Sequence, residues 1–270
     1  VTIKSPLLHD VDTRWNVDLV AWRHLEEVGF EHFRITFPPH PYVAHHVEPG
    51  FNGIYLTGLF NGWVRDVVIG NADSALLTEG ISNVTIERVT TEGSSLAHYS
   101  VQLGGVHNIL VKDLVVENPV KHPLSFNTFA NKSVYQNAFV RHAPVLDQHA
   151  GANHHNLFDH TRVQVELDQS ANESGYALFM GGGAGYWKPS HGINTTFWNT
   201  EVVFTNGALS EQPILLNGME DGPGARVIGL SANLPIRVEY GPDAYIEGVG
   251  TFYSGIPSLY TYQLNRRLAR

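Results

Sequence analysis

The 270-residue chain has no cysteine, 2 methionines, and 17 basic residues against 26 acidic ones. The missing cysteine excludes disulfides, thiolate metal sites and a cysteine nucleophile. A net charge of -9 argues against nucleic acid as the main partner, because neutralising phosphates needs an excess of Lys and Arg. No apolar run approaches the roughly 20 residues that cross a bilayer, so no membrane association is expected. Nucleotide chemistry also lacks its marks. There is no P-loop, dinucleotide fingerprint or G-x-S-x-G, and Gly181 to Gly183 lack the Lys and Ser/Thr that would cradle phosphate. The opening VTIKSPLLHD has neither a start methionine nor a charged stretch followed by an apolar one, so the chain reads as a processed product or a piece of something longer.

What is present is 43% hydrophobic residues, 26 glycines and 15 histidines. That apolar content is enough for a full core in one large all-β domain. Helical periodicity is weak except in SLYTYQLNRRLA near the end and in DLVAWRHLEEV, 18–28. The first reads as a short helix with Ser258 as N-cap and Leu259, Tyr262 and Leu268 toward the body. The second is an ambiguous helix candidate.

Self-similarity carries more information. The segments FNGWVRDVVI, ISNVTIERVT, VHNILVKDLVV, NKSVYQNAFV, HHNLFDHTRV and INTTFWNTEVV each place a small or polar residue before a short alternating strand. Aligned on Gly62, Asn83, Asn108, Ser133, Asn156 and Thr195, they are spaced by 21, 25, 25, 23 and 39 residues. Four near-equal steps and one long one describe a coil with a single insertion. Strands of about 5 residues at this period, with Gly and Asn at corners, predict a right-handed parallel β-helix whose rungs stack about 4.8 Å apart. A sandwich would show hairpin turns every 8 to 12 residues or so. Regular coils are expected over 29–205, with the last coils and a capping helix over 206–270. The corner residues should form a hydrogen-bonded ladder of structural amides and hydroxyls. The long step contains GYALFMGGGAGYWKPSHG, 175–192, which should be a loop extruded from the coil.

Registering the coils on SLAHYSVQLGG, KHPLSFNTFA and LDQHAGANHH brings His98, His122, Asp147 and His149 to one face. Histidine is the natural acid or base near neutral pH, and a neighbouring carboxylate orients its ring. Lys121 and Arg141 flank that column. Tyr186, Trp187, Lys188 and His191 on the Gly-rich loop suit stacking on a sugar ring and holding an anionic group. A further cluster of His40, His45, His46 and Glu48 is either a loop over the same groove or a solvated one. His149, His154, His155 and His160 lack any compact metal signature, so no transition-metal site is expected, and His154, His155 and His160 read as turn and surface residues. A calcium ion held by Asp147 with carbonyl oxygens would leave no mark in sequence. Sequons at Asn83, Asn131, Asn172 and Asn194 fit a secreted, glycosylated protein.

The runs FNGIYLTGLFNGWVRDVVIGNADSAL, LDQHAGANHHNLFDH, SHGINTTFWNT and PSLYTYQL resemble a poorly characterised, secreted branch of the pectin-lyase-like right-handed β-helix superfamily, over about residues 29 to 265. That resemblance implies polysaccharide cleavage, uronate epimerisation or carbohydrate adhesion. The Asp-Asp pair of polygalacturonases and the arginine-bearing pattern of pectate lyases are absent, so no catalytic residue carries over. The expected activity is β-elimination on an acidic polysaccharide outside the cell. His122 or His149 would be the base, Asp147 its partner, and Lys121, Arg141 or Lys188 the charge on the uronate carboxylate. The alternative is a non-catalytic, carbohydrate-binding or adhesive β-helix.

Overall fold

The computed structural model describes residues 7–168, 175–187, 192–206 and 212–270. Its strands pair only in parallel, between segments about one period apart. One sheet runs Leu25–Glu26, Asn52–Phe60, Ser74–Ser82, Ala97–Leu103, Val120–Phe126 and Leu146–Gln148. A second, longer sheet starts at Gly29–Thr36 and passes through Trp63–Gly70 and Thr85–Glu92 to Thr196–Phe204, Arg226–Ala232 and Tyr245–Val249. Ile214–Leu216 pairs with Gly175–Tyr176 and Ile236–Val238 in a third. Long runs of parallel pairing between consecutive coils define a parallel β-helix, as the period predicted.

The core is a set of vertical columns. Val64, Ile86, Val111, Tyr135, Phe158, Phe197 and Val227 are register partners on successive rungs and are all buried. Because each rung offers the same inward position, the aromatic members stack. The Tyr135 and Phe158 rings lie 5.7 Å apart at 9°, and Phe158 and Phe197 lie 5.1 Å apart at 9°. The Tyr135 hydroxyl lies within the core, where it donates to the Val101 carbonyl at 2.8 Å and accepts from the Ser125 amide at 3.2 Å. This ties the second sheet to the first.

Corners are built from left-handed residues. Asn61, Asn83, Asn108, Lys132, His155 and Asn194 all have φ between 42° and 64° and occupy one corner. Asparagine tolerates this region better than most side chains. The Asn108 side chain donates to Asn83 at 3.2 Å, and Asn83 donates to Asn61 at 3.4 Å. The predicted ladder therefore mixes two columns. Asn83 and Asn108 belong to the exposed corner, whereas Ser133, Asn156 and Thr195 sit one residue further on, where the chain has turned inward and is buried. There Ser133 Oγ accepts from the Ile109 amide and Asn156 Oδ1 from the Ser133 amide, each at 3.1 Å. His155 and His160 are corner residues with positive φ, as the turn reading had it.

Several expectations are corrected. The 18–28 candidate is not helical: Leu25–Glu26 is a strand paired with Leu59 and Phe60, because a sheet edge there takes the backbone bonds. The period fades beyond 205 because the steps become uneven, 30 residues from Thr196 to its partner Arg226 and then 19 from Arg226 to Tyr245. The Gly-rich segment leaves the coil only after Gly183, since Leu178 and Phe179 are core residues and the Leu146 amide donates to the Leu178 carbonyl. The terminal helix Leu259–Leu268 is capped by Ser258, yet Tyr262 and Leu268 are exposed. Polar contacts anchor it instead: Asp159 accepts from the Leu259 and Tyr260 amides at 2.8 and 3.2 Å. The sequon at Asn131 cannot carry a glycan in this fold, because Asn131 is fully buried with its amide bonded to the Phe129 carbonyl. Asn83 is exposed, Asn194 is half-buried, and Asn172 lies outside the described residues.

His154 sits against His9 and His155, with ring nitrogens 3.0 and 2.9 Å apart. Burial first, and then the neighbouring histidines, lower its pKa to about 4. The unfolded chain therefore takes up a proton at His154 below about pH 6.5 while the folded chain does not, so stability falls as pH drops from 6.5 toward 4. Thermal denaturation should show that decline, and His154→Asn should make it shallower, with His98 supplying a further part. An equal decline in the variant would remove His154 as its source.

Candidate active site

Three adjacent rungs bring the histidine column together. In the pairing of Val120–Phe126 with its neighbours, His122 lies opposite Tyr99, and Ser125 lies opposite Asp147. The loop preceding Asn52–Phe60 covers them. Its base is fixed by Asp73, which accepts from the Gly50 and Phe51 amides and meets His40 Nε2, each at 2.7 Å. His40 is thus an anchor. The same loop brings His45 to 4.3 Å from the His98 ring and Glu48 Oε1 to 3.3 Å from His98 Nδ1.

Asp147 is the centre. Its side chain is fully buried, and its Oδ2 accepts from Ser125 Oγ at 2.8 Å and His149 Nδ1 at 2.7 Å. His122 Nδ1 lies 3.0 Å from the same oxygen but off the line of a good hydrogen bond. Oδ1 accepts from the Gly182 amide at 2.7 Å. Burial alone would raise the Asp147 pKa, yet contact with His122 and His149 outweighs it and holds the carboxyl well below its ordinary range. An ionised carboxylate only accepts hydrogen bonds, so His149 must carry its proton on Nδ1, which leaves Nε2 as the basic nitrogen.

The rings of His122 and His149 are 4.7 Å apart, and Tyr99 stacks on His98 at 4.3 Å and on His122 at 5.2 Å. Burial pushes the His98 pKa down to about 4 and that of Tyr99 up. His45, His122 and His149 line a cavity of about 500 Å³ together with Tyr186 and Trp187. A larger cavity, of about 830 Å³, lies elsewhere, under the terminal helix with Lys132 and Arg266.

The predicted column of His98, His122, Asp147 and His149 is therefore assembled, and Tyr186 and Trp187 reach it. Lys121 is exposed beside it, close enough to His45 to lower that ring's pKa behind burial and the nearby His46 and His122. Arg141 is not in the site. It follows Phe139–Val140 in the other sheet and pairs with Glu117, because the strand turns a corner between 126 and 139. Lys188 and His191 lie outside the described residues. Asp147 is surrounded by donors, which is the wrong company for a calcium ion seeking six to eight oxygens. Tyr99, Ser125, Asn127 and Gly182 went unnoticed in the sequence. A signal for the first two existed: each is the register partner or neighbour of a predicted residue.

No family model matches the chain, and no curated protein matches it. Among solved structures, it is similar to DFA-IIIase from Arthrobacter chlorophenolicus A6 in complex with GF2, with a TM-score of 0.58, 10% identity, and coverage of 86% of this chain and 66% of that one. A mutant of the same enzyme gives a TM-score of 0.53, 10% identity, and coverage of 93% and 61%. The chain thus spans two thirds or less of either neighbour. At this identity the likeness is one of fold.

A methyl group at Gly182 would come within 2.6 Å of His149 Nδ1 and 2.7 Å of His122 Cε1. Gly182→Ala should destabilise the fold by about 1–3 kcal/mol and displace both rings. Urea denaturation and histidine ring resonances report it, and unchanged stability with unchanged ring signals would contradict this packing.

Proposed function

We propose that the chain is a carbohydrate-active enzyme that cleaves an acidic polysaccharide by β-elimination in the cavity lined by histidines of the column and by Tyr186–Trp187. One observation carries this reading: buried Asp147 accepts from His149 Nδ1 at 2.7 Å, which fixes the ring and leaves its Nε2 for proton transfer, and His149 lines the cavity. Elimination needs a base for the proton on C5, while the bond from C4 to the leaving oxygen breaks, the C4–C5 double bond forms and the leaving oxygen takes a proton from water. His149 takes that proton. Hydrolysis by paired carboxylates is less well supported. Asp147 is sealed by three donors and the touching His122 ring, and Glu48 faces His98, so no two carboxylates stand free across the cavity among the described residues.

Lys121, whose charge is felt by His45 on the cavity wall, would hold the uronate carboxylate. The exposed rings of Tyr186 and Trp187 give a platform for a sugar face. Support for a saccharide ligand also comes from the fold neighbour, which was crystallised with GF2. The sequence resemblance to pectin-lyase-like proteins and the exposed sequon at Asn83 support action outside the cell. The same exposed aromatic pair favours a second reading, saccharide binding without turnover.

Incubation with a panel of uronate polymers, followed by the absorbance of unsaturated products, separates the two. The enzyme reading expects product, with His149→Ala losing about 10²–10⁴-fold in rate while still binding polymer. Absence of product from every polymer, with binding intact, would leave the binding reading.

A further inference from the structure

We infer that His45, His98 and His122 form a binding site for one divalent transition cation of the zinc class. Their ligand nitrogens lie within 4.8 Å of one another. Three Zn–N bonds of about 2.0–2.1 Å at tetrahedral angles need nitrogens about 3.4 Å apart, so the rings close by little more than an ångström. His45 is exposed on its loop and is free to make that adjustment.

A second observation points to an ion. His98 Nε2 is buried without any hydrogen-bond partner, and so is Glu48 Oε1, in the same few ångströms of the molecule. Buried polar atoms are rarely left unpaired, and this one belongs to a ring whose centroid lies 4.3 Å from that of His45 and 5.5 Å from that of His122. The outer contacts also fit. Glu48 faces His98 Nδ1 at 3.3 Å and Asp147 faces His122 Nδ1 at 3.0 Å. Such carboxylates orient metal-bound histidines and fix Nε2 as the ligand atom.

Three imidazoles without sulfur or further oxygen ligands select borderline cations over calcium or magnesium. His45 and His122 also line the cavity. A fourth position would open toward it, the pattern of a site that works on a ligand. This cation would add a positive charge beside Lys121, but the inference stands apart from the elimination reading because its test reads binding alone.

The experiment uses tag-free protein stripped with a chelator, titrated calorimetrically with Zn²⁺ and spectroscopically with Co²⁺. One ion per chain is expected, with a four-coordinate Co²⁺ spectrum. His98→Ala and His45→Ala should each weaken binding at least about 100-fold, and Glu48→Gln about 10–100-fold. His154→Asn, in the separate cluster around His9, should leave it unchanged. Circular dichroism checks each fold, and the exposed His45 variant keeps the test open if His98→Ala does not fold. No saturable binding, binding indifferent to His45→Ala, or binding lost in His154→Asn would overturn the site.

Discussion

One carboxylate organises the candidate site. Asp147 accepts from a hydroxyl, a backbone amide and an imidazole, and touches a second imidazole, all without exposure to solvent. Burying a charge is unfavourable unless partners recover the lost hydration, and apolar residues of similar volume would often serve stability as well. The arrangement is therefore better explained by what it does to the histidines. It sets the ring orientation and tautomer of His149 and holds His122 beside it.

The constraint passes through the coil to the core. Ser125, which donates to Asp147, has its amide held by the Tyr135 hydroxyl, and Tyr135 stacks on Phe158 within the second sheet. The Gly182 amide arrives from the next coil because Leu178 and Phe179 bury there as the following rung. A rigid stack of parallel rungs thus fixes the carboxylate from two sides, while a loop pinned at Asp73 packs on the neighbouring His98 and His122 rings. Sites on such rigid elements hold their geometry better than sites made of loops alone.

Much of this was legible in the sequence because a solenoid converts linear period into vertical contact. Spacings of 21 to 25 residues are enough to predict parallel rungs and to bring His98, His122 and Asp147 into line. What the period cannot carry is a one-residue offset. It merged the Asn83 and Asn108 corner with the buried Ser133 column, and it left His122 opposite Tyr99 rather than His98. Arg141 was misplaced because distance along the chain says nothing about a corner between two sheets. The loop with His45 and Glu48 was ambiguous because residues far along the chain fix it, among them Asp73, 23 residues beyond Gly50, and Ser95. The terminal helix was found from its cap, but its orientation is set by Asp159, which no helical pattern encodes.

The account depends most on His149 being held by an ionised Asp147. Long-range proton–nitrogen correlation spectra of the histidine side chains at neutral pH read the tautomer directly. The structure predicts a His149 proton on Nδ1, bonded to Asp147, and this signature should vanish in Asp147→Asn. A His149 ring protonated on Nε2 alone, or one averaging between the two forms, would contradict it.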